Sequence, residues 1–172
     1  DEVAQYCERK TPLVKTLMDS SARPRHVTNM LASICDAATE RLIQLAVDEL
    51  GPPPASFAFI AMGSQGRQEQ SLLTDQDNGI IFAACAETDQ DRVGDYFLQL
   101  GTRVCDGLNQ AGYPFCRGQV MASNPRWCRS LPDWISGFEE WIHKSEPQEI
   151  IDLSIFFDLR TVYGDTNLTH DL

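Results

Sequence analysis

The chain predicts a mixed domain of helices and strands, on three observations. Residues 28–50 and 89–111 each carry apolar side chains at the three- and four-residue spacing of an amphipathic helix. Residues 56–62 and 78–84 are short apolar runs of strand length, as expected where a sheet is covered on both faces. Between those runs lies a polar excursion that opens on Gly63-Ser64 and closes on Asp75-Gln76-Asp77.

Taken in order, residues 1–22 hold Val3, Leu13, Val14, Leu17 and Met18, interrupted by Pro12, and predict a short helix after that proline. In residues 28–50 the stripe is Val27, Leu31, Ile34, Cys35, Ala38, Leu42, Leu45 and Ala46. Thr28 can cap its start, and Gly51 followed by Pro52, Pro53 and Pro54 stops it and makes a stiff hinge. Ser56–Met62 is the first strand. Gly66 helps the turn that follows, Arg67–Leu72 is expected as a short helix, and Asn78–Ala84 is the second strand. The next helix presents Val93, Tyr96, Phe97, Leu100, Val104, Leu108 and Ala111, and Gly112-Tyr113-Pro114 ends it. Phe115–Ala122 is expected as a third strand, weakened by Gly118. Trp134, Phe138 and Trp141 then recur at helical spacing, with Ser130 or Pro132 near the start, as a base-stacking platform or as ordinary core packing. A last helix is expected over residues 148–162, with Ile151, Ile155, Leu159 and Val162 on one side. No internal repeat or low-complexity segment interrupts this order.

The chain has 172 residues and is 42% hydrophobic, enough for one core of ordinary size or one core with a helical appendage. Its formal net charge is −11, and no run of Lys and Arg occurs. A nucleic-acid-binding surface needs a basic stripe, so nucleic acid is not an expected partner. An acidic excess instead favours Mg²⁺ wherever a phosphate ligand must approach. The six cysteines include no C-x-x-C pair; they are expected as buried free thiols in a reducing, cytoplasmic setting. No apolar run reaches the roughly 18–20 residues of a membrane span, so no membrane partner is expected. The chain begins at Asp1 without Met and is expected to be a piece of a longer polypeptide.

The excursion carries the chemistry. Alternate residues of a strand point the same way, which places Asp75 and Asp77 on one face, roughly 6–7 Å apart along the strand, close enough to hold one divalent cation. A tight turn at Gly63-Ser64 offers backbone N–H groups to phosphate oxygens without side-chain bulk, and Ser64 adds a hydroxyl. Arg67 could supply a guanidinium to a triphosphate, with Glu69 either ordering it or solvated. Other phosphate motifs fail: GSQGRQEQ lacks the Gly-Lys-Ser/Thr ending of a Walker A loop, and DQDNG has its glycine one position early for a calcium loop, with Ala86 where the closing Glu should be.

Gly63-Ser64 followed by Asp75-x-Asp77 resembles the nucleotidyltransferase signature of the DNA polymerase β superfamily. The longer string GSQGRQEQSLLTDQDNGIIF is similar to the glycine-rich motif of protein-PII uridylyltransferase. It most resembles a family of nucleotidyltransferases of uncharacterised function, whose members often follow CBS and cyclic-nucleotide-binding modules in bacterial signalling proteins. RLIQLAVDELGPPP (41–54), VMASNPRWCRSLPDWISGFEEW (120–141) and IFFDLRTVYGD (155–165) share in the resemblance. It implies an α/β (α+β) fold, a small mixed β-sheet flanked by helices. Residues 1–54 would form an N-terminal helical arm, 55–147 the nucleotidyltransferase-like core, and 148–172 the start of a truncated helical C-terminal domain. It also implies Gly63, Ser64 and Arg67 as nucleotide-binding residues and Asp75 and Asp77 as catalytic residues and ligands of Mg²⁺ or Mn²⁺. The partners would be a nucleoside triphosphate, a protein or small-molecule acceptor, and attached regulatory domains.

The chain departs from the superfamily in one place. Active members usually carry a third carboxylate on a later strand, where this chain's Phe115–Ala122 has Gln119 and no acid; Asp133 and Asp158 fall in predicted helices. Three readings follow: a transferase of nucleoside monophosphates, a regulatory module that binds nucleotide without transferring it, and an interaction scaffold with a vestigial site.

Overall fold

The computed structural model describes residues 2–144 and 157–172. Among them β1 (Phe57–Ala61), β2 (Asn78–Phe82), β3 (Cys128–Ser130) and β4 (Arg160–Gly164) form one sheet in the order β3-β2-β1-β4. β1 runs antiparallel to both β2 and β4, while β2 and β3 are parallel, so the sheet is mixed. All five residues of β1 and of β2 are buried, which is why these strands read as unbroken apolar runs rather than as alternating ones.

The helices are α1 (Glu2–Glu8), α2 (Lys10–Asp19), α3 (Pro24–Leu50), α4 (Gly63–Gly66), α5 (Gln90–Gln110), α6 (Leu131–Lys144) and α7 (Asn167–His170). α3 begins four residues ahead of Thr28, with Pro24 in its first turn, where a missing N–H does no harm. Thr28 is therefore inside the helix, and its hydroxyl donates back to Arg25 O (3.1 Å) instead of capping. The buried stripe contains Val27, Leu31, Cys35, Ala38 and Ala46 as expected, but Ile43 takes the place given to Leu45, which is exposed. Ile43 stands at helical spacing from Thr39 and Ala46, and Leu45 does not.

α3 packs along α5, and its Cys35, Ala38, Ile43 and Ala46 join the same core as the sheet residues. Gly51, with φ of 87°, ends α3, and the Tyr96 hydroxyl of α5 donates to Gly51 O (2.6 Å) at the head of the proline segment. Phe97 stacks on Phe82 (centroids 4.9 Å apart) and tilts against Phe57 (5.2 Å), so α5 is seated on the paired strands by aromatic contact.

Three sequence expectations are corrected. Residues 115–122 form a loop with turns, not a strand; Gln119 sits in it at a left-handed φ of 59°. The loop still borders the approach to β2, because Gln76 N–H donates to Pro114 O (3.0 Å) and Asn78 N–H to Val120 O (3.1 Å), and the third strand comes later, as β3. The helical turn expected over Arg67–Leu72 lies earlier, at Gly63–Gly66, and Gln68, with φ of 58°, prevents its continuation. Residues 160–164, which overlap the end of the helix expected over 148–162, form β4; β-branched Thr161 and Val162 with Tyr163 suit a pleated neighbour of β1. Ile151 and Ile155 lie outside the described residues. The described part of 148–172, expected to open a helical domain, thus supplies a strand to the central sheet together with α7.

Trp134 is core and no stacking platform: it is 1% exposed, its Nε1–H donates to Ile80 O (2.9 Å), and its ring tilts against buried Trp127. The side chain of Trp141 lies outside the described residues. All six cysteines are free and five of them are buried, where desolvation raises the thiol pKa, to about 12 at Cys35.

Candidate nucleotide site

The site begins where the chain leaves β1. Gly63 has a φ of 53°, a left-handed conformation that glycine adopts without strain, and a Cβ placed on it would lie 2.8 Å from Asp77 Oδ2. Both facts require glycine here. Met62 N–H donates to Asp77 O (2.9 Å), extending the β1–β2 pairing one residue past Ala61 and Asn78. That bond fixes Asp77 beside Gly63.

Asp75 and Asp77 lie just before β2 and not within it, because β2 begins at Asn78. Strand-like alternation nevertheless holds. Gln76 and Asn78 point into the core: Gln76 Nε2 donates to Cys105 O (3.0 Å) and Tyr113 O (2.8 Å), and Asn78 Oδ1 accepts Ala122 N–H (2.8 Å). Gln76 and Asn78 are buried while Asp75 and Asp77 are half-buried, and the Asp77 carboxylate accepts a hydrogen bond from Cys116 of the 113–122 loop.

α4 is a single turn. Its i→i−4 bonds start with Gly66 N–H to Met62 O (3.0 Å), so the N–H groups of Gly63, Ser64 and Gln65 come ahead of the ladder. Gly66 is also obligatory, since a Cβ there would overlap Asp158 O. Arg67 follows the turn. Its Nε donates to Glu69 Oε2 (2.9 Å) and its Nη1 to Asp158 Oδ2, so Glu69 orders it and Asp158 shares it.

Burial pushes the Asp77 carboxyl above its ordinary range; a hydrogen bond from Cys116 pulls it back, the neighbouring Asp75 charge raises it, and Arg67 lowers it. Two carboxylates, one of them desolvated, repel each other unless a cation sits with them. The donors are all oxygen: Asp75, Asp77 and the Ser64 hydroxyl nearby in sequence to Gly63. That set fits Mg²⁺ or Mn²⁺, which bind few protein carboxylates and complete their shells with phosphate and water.

Gln119 turns back on its own loop, with Nε2 donating to Cys116 O (3.5 Å), and among the described residues no group of three or more His, Cys, Asp or Glu is arranged so that it could hold a metal ion. Asp158 meets Arg67, and Asp133 sits at the start of α6 against Ser130. Farther along, Arg117 is exposed, Asn124 Oδ1 accepts Arg126 N–H (3.0 Å) in the turn before β3, and the Arg126 guanidinium lies 5.8 Å from the Trp127 ring.

The sequence did not point to Asp36, Cys116 or Arg160. Only the fold brings them to the site, from α3, the 113–122 loop and β4, and none stands in a spaced motif with the others.

The family model described as "Putative nucleotidyltransferase DUF294" matches residues 8–148. The chain belongs to that family. Its DUF294 match spans β1, the Gly63–Gly66 turn, Asp75, Asp77 and α6, while Asp158, which meets Arg67, lies beyond the matched residues. No curated protein matches the chain. Among the described residues no helix is long and apolar enough to cross a membrane.

Proposed function

We propose that this DUF294 domain transfers a nucleoside monophosphate from a Mg²⁺-bound nucleoside triphosphate to a protein or small-molecule acceptor, in cytoplasmic signal transduction in bacteria. The observation that carries this reading is the Asp77 carboxylate lying against Gly63, at the mouth of a turn whose leading N–H groups are free of the helical ladder.

In this reading Gly63, Ser64 and Gln65 grip phosphate oxygens, and Arg67 offers its guanidinium beside them. Asp75 and Asp77 hold Mg²⁺ or Mn²⁺, which neutralises triphosphate charge and favours an ionised acceptor oxygen. The acceptor oxygen forms a bond to the α-phosphorus as the bond from that phosphorus to the bridging oxygen breaks. Pyrophosphate leaves with the electron pair, and the acceptor proton passes to solvent. Desolvation of Asp77 strengthens its attraction for the cation. Transfer of label from α-³²P nucleoside triphosphates, with Asp77→Ala as control, tests this; labelling that persists without divalent metal or in the variant refutes it.

A second reading is favoured by β3, the later strand beside β2, whose residues Cys128–Ser130 include no acid. Here nucleotide binding without transfer biases attached modules, such as CBS or cyclic-nucleotide-binding domains. Tight Mg²⁺-dependent binding by calorimetry with no transfer selects it, and absence of binding removes it.

A further inference from the structure

We propose that Asp36, on α3, is a positioning residue for the phosphate-facing turn and acts through Gln65, with Arg160 of β4 as its counter-charge; this rests on the nucleotide-site reading above. Gln65 is the third residue of α4 and its side chain is buried, 5% exposed. Its Nε2 donates to Asp36 Oδ1 at 3.0 Å. Arg160 Nη2 donates to the same Asp36 oxygen at 2.9 Å and to the backbone carbonyl of Gln65 at 3.2 Å. Gln65 is therefore held at its side chain and at its carbonyl by one ion pair that joins α3 to β4.

The carbonyl bond orients the peptide plane after Gln65, and the side-chain bond fixes the residue whose own N–H is the last of the three ahead of the ladder. A turn that meets phosphate through backbone N–H groups depends on where its residues sit, and small misplacements there are expensive in binding and rate. The pair is suited to this task. Asp36 and Arg160 side chains are 17% and 28% exposed, so solvent competes weakly for them. Arg160 Nε is buried without a partner, which costs stability, and buried ion pairs add little net stability of their own. The effect of the pair thus falls on geometry. Because Asp36 also belongs to α3, whose core-facing residues pack against α5, a shift of the helical arm reaches the turn through this one carboxylate.

The test is calorimetric titration of the full chain with Mg²⁺-tripolyphosphate, Mg²⁺-ATP and Mg²⁺-UTP, alongside Mn²⁺ affinity without phosphate by electron paramagnetic resonance. Gln65→Met removes the link to Asp36 and leaves the Asp36–Arg160 pair in place; Asp36→Asn removes the charge. Both are expected to weaken tripolyphosphate and bound nucleotide alike, by about tenfold for a lost hydrogen bond to a charged group, while Mn²⁺ affinity without phosphate stays at the wild-type value. Unchanged phosphate affinity in both variants overturns the proposal, and so does parallel loss of Mn²⁺ and phosphate binding, which marks a merely structural role. Wild-type protein that takes up none of the three phosphate probes refutes the nucleotide-site reading itself, and this inference with it.

Discussion

Gly63 and Asp77 occupy each other's van der Waals space so closely that no side chain fits between them: a Cβ on Gly63 would lie 2.8 Å from Asp77 Oδ2. The glycine opens α4 just after β1, the aspartate leads into β2, and the Met62–Asp77 backbone bond sets their separation. Gly63→Ala strains a left-handed residue and displaces the carboxylate. It is expected to cost about 1–3 kcal/mol of stability and to weaken Mg²⁺-nucleotide binding by roughly 100-fold, as read by urea denaturation and calorimetry.

Asp77 also sets a pH dependence. Its carboxyl titrates above its ordinary value because it is desolvated and faces Asp75. The folded state then holds that proton more tightly than the unfolded chain does. The stability this gives is present while the group is protonated, below the ordinary aspartate range, and is lost as pH rises through that range to the raised value. Asp77→Asn should therefore increase metal-free stability at neutral pH, with the gain over wild type growing between about pH 3 and pH 7. The same variant should lose the thermal stabilisation that Mg²⁺ and nucleotide give the wild type. Urea midpoints across that pH range check the sign.

Arg67 is shared by Glu69 and Asp158. A phosphate must compete with the Asp158 carboxylate for the guanidinium, so Asp158→Asn is expected to tighten Mg²⁺-nucleotide binding a few-fold, while Arg67→Lys, which cannot make the paired fork, should weaken it by about tenfold. Opposite signs for the two variants in one titration series are the readout.

Behind the site, Asn78 holds the 113–122 loop by accepting Ala122 N–H, and it is 2% exposed. Asn78→Ala leaves that N–H buried and unpaired and opens a cavity. A loss of about 2–4 kcal/mol is expected in urea denaturation, with binding at saturating nucleotide retained at temperatures where the variant is folded.

The parts legible in the sequence are those whose signal is local. Phe57–Ala61 and Asn78–Phe82 stood out because both of their faces are buried, and α5 because Val93, Phe97, Leu100, Val104 and Leu108 keep one stripe over its length. Gly63, Asp75 and Asp77 could be read as a unit because all three fall in the one segment, residues 62–77, that joins the end of β1 to the start of β2. β3 was missed because three residues carry no period, and β4 because Leu159 and Val162 also suit a helical stripe until pairing with β1 decides. Phe115–Ala122 misled because its apolar residues, among them Val120 and Met121, are buried by a loop whose backbone bonds go singly to Gln76 and Asn78. Asp36 and Arg160, and the pairing of Asp158 with Arg67, could not be found, since each reaches the turn from a distant stretch of chain.

Location of Mn²⁺ by anomalous diffraction, in crystals of the chain grown with a non-hydrolysable nucleoside triphosphate, bears most directly on the whole account. The expected map has a Mn²⁺ peak contacted by carboxylate oxygens of both Asp75 and Asp77, with triphosphate oxygens on the N–H groups of Gly63, Ser64 and Gln65. A peak away from that pair, or a triphosphate seated elsewhere on the domain, would contradict it.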